Sequence, residues 1–183
     1  MTVPNIITCI RIILVPIFIV FLFERKLTYG FIVFAIAGIS DAIDGFIARI
    51  FNARSDSGAY LDPLADKLLL ISAFIMLAVL KLAPMWLVII VVSRDVLIMA
   101  GFLSLIAKHR SCFIIKPLIS SKITTFLQII TVGMVLIQDI FPYIHFLKYP
   151  AFISSACVTV ISGVLYIKFW INKRYENSIA YIE

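Results

Sequence analysis

Apolar residues run along this chain in six long blocks separated by short polar breaks. The blocks span roughly Ile6–Phe23, Tyr29–Ile50, Gly58–Leu80, Pro84–Ala107, Lys122–Phe141 and Tyr149–Ile171. A bilayer core of ~30 Å takes about 20 mostly apolar residues per helix. Each block therefore predicts a membrane-crossing helix, and the short breaks predict antiparallel neighbours in one domain covering 1–183. Pro16 should kink the first span, because it removes a ladder hydrogen bond. Trp86, Trp170 and several tyrosines fall near block ends, where amphipathic rings favour the interface.

Composition points the same way. Of 183 residues, 63% are hydrophobic, against about 45–50% in soluble domains. Only 14% are charged, yet the net charge is +6. In a bilayer protein that excess reports orientation and attraction to anionic headgroups rather than nucleic-acid binding. Cys9, Cys112 and Cys157 form no paired motif and are read as free thiols. The first block contains Arg11 and lacks a small-residue cleavage site after it, so no cleavable signal is expected.

Positive charge fixes the expected orientation. Ten cations (Arg11, Arg49, Arg54, Lys108, Arg110, Lys116, Lys122, Lys168, Lys173 and Arg174) belong to the N-terminus and to the connections after even-numbered spans. Four (Arg25, Lys26, Lys81 and Lys148) belong to the opposite connections. The excess places both termini and the even connections in the cytoplasm, with a bacterial inner or plasma membrane as the expected home.

The densest polar segment is Asp41-Ala-Ile-Asp44-Gly45-Phe-Ile-Ala48-Arg49, followed by Gly58, Asp62 and Asp66. Asp41 and Asp44 are spaced i, i+3 and Asp62 and Asp66 i, i+4, so each pair shares a helical face. A short connection between spans two and three lets the four carboxylates converge at the cytoplasmic side. Converging carboxylates near lipid repel one another and need compensation. A hard divalent cation, Mg²⁺ or Mn²⁺, supplies it, and two ions about 3.5–4 Å apart suit phosphoryl transfer. Such ions clamp a diphosphate and leave one carboxylate able to take a proton. Gly45, Ala48 and Gly58 lack bulk, which lets a flat nucleotide approach the backbone, and Arg49 could meet a phosphate.

These residues read D-x2-D-G-x2-A-R-x8-G-x3-D-x3-D, which resembles the signature of the CDP-alcohol phosphatidyltransferase family without a departure. The resemblance continues into Pro4-Asn5-Ile-Ile-Thr8-x-x-Arg11 and covers essentially the whole chain. It implies an all-α integral membrane fold of six transmembrane helices with a cytosol-facing polar cavity for metal and nucleotide. It implies that Asp41, Asp44 and Asp62 bind metal, and that Asp66 touches one metal and acts as general base. It further implies that Gly45, Arg49 and Ser55 contact the CDP moiety of CDP-diacylglycerol, beside the small residues Ala48 and Gly58, with Asn5 and Thr8 lining the nucleotide. The products would be a phosphatidyl alcohol and CMP.

The second half bears on the acceptor. Ser93-Arg94-Asp95-Val96, then Lys116-Pro117-x3-Ser121-Lys122-x2-Thr125-x2-Gln128, resembles the mitochondrial-type cardiolipin synthases. Phosphatidylglycerophosphate synthases share the Asp62–Lys67 block. They usually carry R-E at Arg94-Asp95 and Leu-Arg at Gly101-Phe102. Glycerol 3-phosphate is a small dianion that wants an added Arg, and Phe102 cannot provide one. The expected acceptor is therefore phosphatidylglycerol, with glycerol 3-phosphate as the alternative. Arg94, Lys116 and Lys122 are the candidate acceptor-headgroup ligands. Each has a plainer use, interfacial charge for Lys116 and Lys122 and pairing with Asp95 or a site aspartate for Arg94.

The remaining polar residues predict little chemistry. His109 and His145 are isolated near span ends, and Glu24, Asp139, Glu176 and Glu183 read as solvated charge. Ser154, Ser155, Ser162 and Gly163 suggest close packing of span six, first within the chain and secondly in a homodimer. Two other classes of membrane protein also use clustered acidic residues. A polyprenyl-transferase-like enzyme would place its acidic motifs far apart, and a non-enzymatic divalent-cation carrier would show polar breaks in both halves.

Overall fold

The structure is a computed structural model that describes residues 3–50, 58–108, 119–141 and 143–179, with side chains described over 10–40, 67–101, 120–141 and 143–168. Every regular element among them is an α-helix. In chain order these are α1 (Val3–Phe23), α2 (Leu27–Ile50), α3 (Gly58–Val79), α4 (Met85–Lys108), α5 (Ile119–Leu136) and α6 (Ile144–Ile179).

The six predicted spans correspond to these six helices, and most ends agree within three residues. Three do not, and one of these is the end of α6, which runs on to Ile179, eight residues past the expected Ile171. The fifth helix stops at Leu136, and Ile137–Ile140 turn instead, with Ile140 N–H bonding back to the Ile137 carbonyl at 3.0 Å. Hydropathy alone cannot see that stop, because Ile137, Ile140 and Phe141 are as apolar as the helix before them. The sixth helix begins at Ile144, five residues before the expected start, and carries Pro150 inside it. The carbonyl that Pro150 leaves without a donor is that of Phe146, on the exposed opening turns where its loss matters least. α1 likewise continues through Pro16 to Phe23.

Two helix ends close in the same unusual way. After α1, Lys26 N–H bonds the Phe21 carbonyl and Arg25 N–H the Leu22 carbonyl, each at 2.9 Å. After α3, Leu82 N–H bonds the Leu77 carbonyl at 2.8 Å and Lys81 N–H the Ala78 carbonyl at 2.9 Å. This closure needs a left-handed residue, normally glycine. Here Arg25 and Lys81 take it, at φ 57° and 60°, and their cations complement the negative helix ends.

The helices form a ring. α1 packs on α2 and α3, α3 on α4, α4 on α6, α6 on α5 and α5 on α2, while α3 also reaches α5 across the middle. The centre is sealed by Phe18, Leu22, Phe34, Phe74, Leu77, Leu87 and Val132. Phe18 and Phe34 meet with ring centroids 5.9 Å apart. Gly30 brings α2 against α1, since a Cβ there would lie 2.8 Å from Leu22 Cδ2.

Polarity runs inside out. Arg11, Arg94, Asp95, Thr124, Gln128, Lys148, Thr159 and Ser162 are buried, whereas Ile13, Val20, Phe23, Ile39, Ile89, Leu97 and Phe126 are exposed. Water would not tolerate such an apolar surface on a monomer, and a bilayer favours it. By length and composition, Ile144–Lys168 is long and apolar enough to cross a membrane, and shorter apolar segments run over Ile10–Phe23, Leu27–Ser40, Lys67–Val79 and Ser120–Leu136 among the described residues.

Candidate active site

The acidic motif is divided between the end of one helix and the start of the next. Asp41, Asp44, Gly45, Ala48 and Arg49 lie in the last ten residues of α2, and Gly58, Asp62 and Asp66 lie in the opening turns of α3. Both stretches are regular helix, so Asp41 and Asp44 are about one turn apart, as are Asp62 and Asp66. Asn5 and Thr8 sit in the first two turns of α1. The side chains of all these residues, and the whole of Ser55 and Lys116, lie outside the described residues. The donor chemistry of the residue types fits a divalent cation, because four carboxylates in two helical pairs would supply an all-oxygen hard ligand set. Among the described residues no group of three or more His, Cys, Asp or Glu side chains could hold a metal ion.

Immediately after Asp66 the chain enters a described polar network. Lys67 on α3 donates from Nζ to Asp95 Oδ1 at 2.9 Å. Arg94 Nη1 donates to the same oxygen at 2.6 Å. Arg94 Nη2 reaches Ser121 Oγ on α5 at 2.9 Å and Ser162 Oγ on α6 at 2.8 Å. The Asp95 side chain is fully buried and that of Arg94 is 4% exposed. One carboxylate and one guanidinium thus tie four helices together beside the segment that carries Asp62 and Asp66. An isolated buried charge would be costly, so the pairing sustains both groups in the interior.

This geometry assigns places to residues whose use the sequence left open. Arg94 is committed to Asp95, Ser121 and Ser162, which realises the pairing with Asp95. Lys122 is exposed. Lys67 and Ser162 were not singled out for the site by spacing, since they lie 28 and 68 residues from their partners. The available signal was that a cation inside an apolar helix needs a named partner.

A polar seam extends the network along α5 and α6. Gln128 Nε2 donates to Thr159 Oγ1 at 3.3 Å, and Thr124 Oγ1 lies 3.4 Å from the Val158 carbonyl. Ser155 and Ser162 are buried and Ser154 is exposed. The close packing expected of span six is thus made within the chain. Gly163 belongs to the same contact, its missing Cβ falling 3.7 Å from Arg94 Cγ.

Arg11 is 1% exposed and lines a cavity of about 500 Å³ between α1, α2, α3 and α5. Phe31, Phe34, Gly38, Leu70, Ile130 and Met134 form its apolar wall, with Thr125 the other polar group. It runs beside the α2 segment that leads into Asp41. Arg11, expected as an interfacial cation, is instead an interior one.

The sequence is similar to known proteins along nearly its whole length. The family model described as CDP-alcohol phosphatidyltransferase matches residues 1–174. The human cardiolipin synthase (CMP-forming) is 35% identical over 157 residues, 78% of this chain and 52% of its own length. A fission-yeast cardiolipin synthase (CMP-forming)/mitochondrial hydrolase fusion protein, from Schizosaccharomyces pombe, is 34% identical over 90% of this chain and 30% of its own length. The chain therefore spans about half the length of the first of these relatives and under a third of the second. The Bacillus subtilis CDP-diacylglycerol–glycerol-3-phosphate 3-phosphatidyltransferase is 33% identical over 87% of this chain and 90% of its own length. With the complete acidic motif on α2 and α3 and a match along nearly its whole length, this chain belongs to the CDP-alcohol phosphatidyltransferase family.

Proposed function

We propose that this protein is a membrane-embedded transferase that moves a phosphatidyl group from CDP-diacylglycerol to an alcohol and releases CMP. The observation that carries the reading is the unbroken motif from Asp41 to Asp66, set at the end of α2 and the start of α3. All six helices are taken as spans, supported by the inside-out polarity. The charge excess supports cytoplasmic termini and a cytoplasmic site.

Enzymes of the family use divalent metal ions. Asp41, Asp44, Asp62 and Asp66 would hold two Mg²⁺ or Mn²⁺ ions, which would neutralise charge on the diphosphate when bound. Gly45, Ala48 and Gly58 give the nucleotide access to the backbone, Arg49 and Ser55 meet its phosphates, and Asn5 and Thr8 border it from α1. Asp66 takes the proton of the acceptor hydroxyl. The acceptor oxygen forms its bond to the phosphatidyl phosphorus as the bond to the CMP oxygen breaks. The Lys67–Asp95–Arg94 network holds α3 in register behind Asp66.

Phosphatidylglycerol is the acceptor favoured here, which makes the product cardiolipin. Arg94 supports that choice, because its Nη groups are spent on protein partners and it therefore does not offer a small dianion a free guanidinium. Glycerol 3-phosphate is the second reading, favoured by the near full-length similarity to the Bacillus subtilis protein. Purified protein given labelled CDP-diacylglycerol with phosphatidylglycerol, glycerol 3-phosphate, inositol or serine in turn decides between them. Metal-dependent CMP release with phosphatidylglycerol is expected. Metal uptake into liposomes without any CMP release would instead favour a cation carrier and overturn the reading.

A further inference from the structure

At the end of the helices opposite the aspartates lies a second polar cavity, of about 1140 Å³. It is formed by the α3–α4 and α5–α6 connections, and Lys81 at its edge is 19 residues from Asp62 along α3, about 29 Å at 1.5 Å per residue. Lys81, Gln138, Asp139, His145 and Lys148 supply its polar lining. Asp139 and His145, expected as isolated solvated groups, share this one space.

Three observations give the cavity an anion-binding character. Lys148 is only 7% exposed and donates from Nζ to the Gln138 side-chain carbonyl. That amide and the electrostatic attraction of Asp139 compensate the Lys148 ammonium, so the one carboxylate of the lining is engaged and the charge of the second lysine is left in excess. Secondly, α4 and α6 both begin here, through Met85, His145 and Lys148, and neither has an acidic residue in its first turn. The positive dipole ends of both helices add to the field. The opposing carbonyl end of α3 is closed by Lys81, Leu82 and Ala83 N–H groups. Thirdly, two lysines face a single carboxylate, so the lining is net positive.

The walls also distinguish the kind of anion. Met85 and Tyr149 line the same cavity and are 62% and 69% exposed, so an apolar surface continues from the cationic floor toward the periphery of the ring. We infer that this cavity binds the phosphodiester headgroup of an anionic phospholipid, in the leaflet opposite the aspartates, with its chains descending past Met85 and Tyr149. The site is independent of the transfer reaction proposed above.

The chain has two tryptophans, and Trp86 adjoins the cavity on α4, so Trp170→Phe leaves a single reporter there. That variant, in phosphatidylcholine vesicles, is titrated with phosphatidylserine bearing dibrominated chains, and separately with dibrominated phosphatidylcholine. Phosphatidylserine, which carries a primary amine and is not the favoured acceptor, should quench Trp86 preferentially. Selectivity should fall about fivefold for each lysine removed, in Lys81→Asn and then Lys81→Asn/Lys148→Gln. Asn suits the left-handed backbone at position 81, so the single variant tests the site even if the double variant fails to fold. CMP release by each variant reports intact folding. Equal quenching by the two lipids, or selectivity that survives both substitutions, overturns the inference. Loss of selectivity on adding inorganic phosphate at constant ionic strength would reassign the cavity to the free anion.

Discussion

Lys67 Nζ lies 2.9 Å from Asp95 Oδ1, so the residue next to Asp66 is pinned to the middle of a different helix. The same carboxylate oxygen holds Arg94, and through it α5 and α6. Whatever sets the position of α3 at its start therefore includes a buried charge on α4.

Replacing Asp95 with Ala should strand two cations in the interior. A loss of about 3–5 kcal/mol is expected for breaking a buried pair from one side. Thermal unfolding in detergent measures it. The double substitution Lys67→Met/Asp95→Leu, which leaves only Arg94 to be accommodated, should lose less than the sum of the single effects.

Lys67→Gln tests the link to catalysis. A displaced Asp66 should lower kcat up to about 100-fold with little change in donor KM, since misplacement by ~1 Å is costly at a reacting centre. Steady-state CMP release gives both constants. An unchanged kcat would confine Lys67 to stability.

Asp66→Asn should abolish turnover, by at least about 100-fold, while CDP-diacylglycerol still binds. Asp41→Asn should weaken metal and nucleotide binding together. Equilibrium binding of labelled donor, with and without chelator, separates the two. Normal activity of Asp66→Asn would remove the base assignment.

Gly30→Ala places a methyl group 2.8 Å from Leu22 Cδ2, and Leu22 is wholly buried beside Phe18. Overpacking of this kind costs typically 1–3 kcal/mol, that is about 1–3 kcal/mol here. Combining it with Leu22→Val should recover part of the loss in the same unfolding assay.

Arg25→Gly should do the reverse. Arg25 holds φ at 57°, a conformation that costs a side-chain-bearing residue about 1–2 kcal/mol. Removing the cation from the helix end gives back about 0.3–1 kcal/mol. A net gain of a few degrees in unfolding temperature is expected.

The six helices and the acidic motif were legible because both are written in local order, as apolar runs of span length and as carboxylates one turn apart. The end of α5 and the start of α6 were not, because Ile137–Phe141 is apolar without being helical and Pro150 is helical despite its ring. The polar interior was legible only in part. Arg94 and Asp95 are adjacent and suggested their own pairing. Ser162 and Lys67 declare themselves only once the ring brings α6 and α3 against α4. The left-handed turns at Arg25 and Lys81 carry no glycine to announce them.

The contact between Arg94 Nη1 and Asp95 Oδ1 is made by sequence neighbours on one helix, so it needs no tertiary structure to form. During biogenesis α4 can thus enter lipid with the two charges at its middle already joined. The hydroxyls of Thr124, Thr131 and Thr159 are likewise bonded to carbonyls one turn back on their own helices. These four groups are thus masked within their own helices, leaving Lys67 and the two serines to lock α3, α5 and α6 onto α4 afterwards.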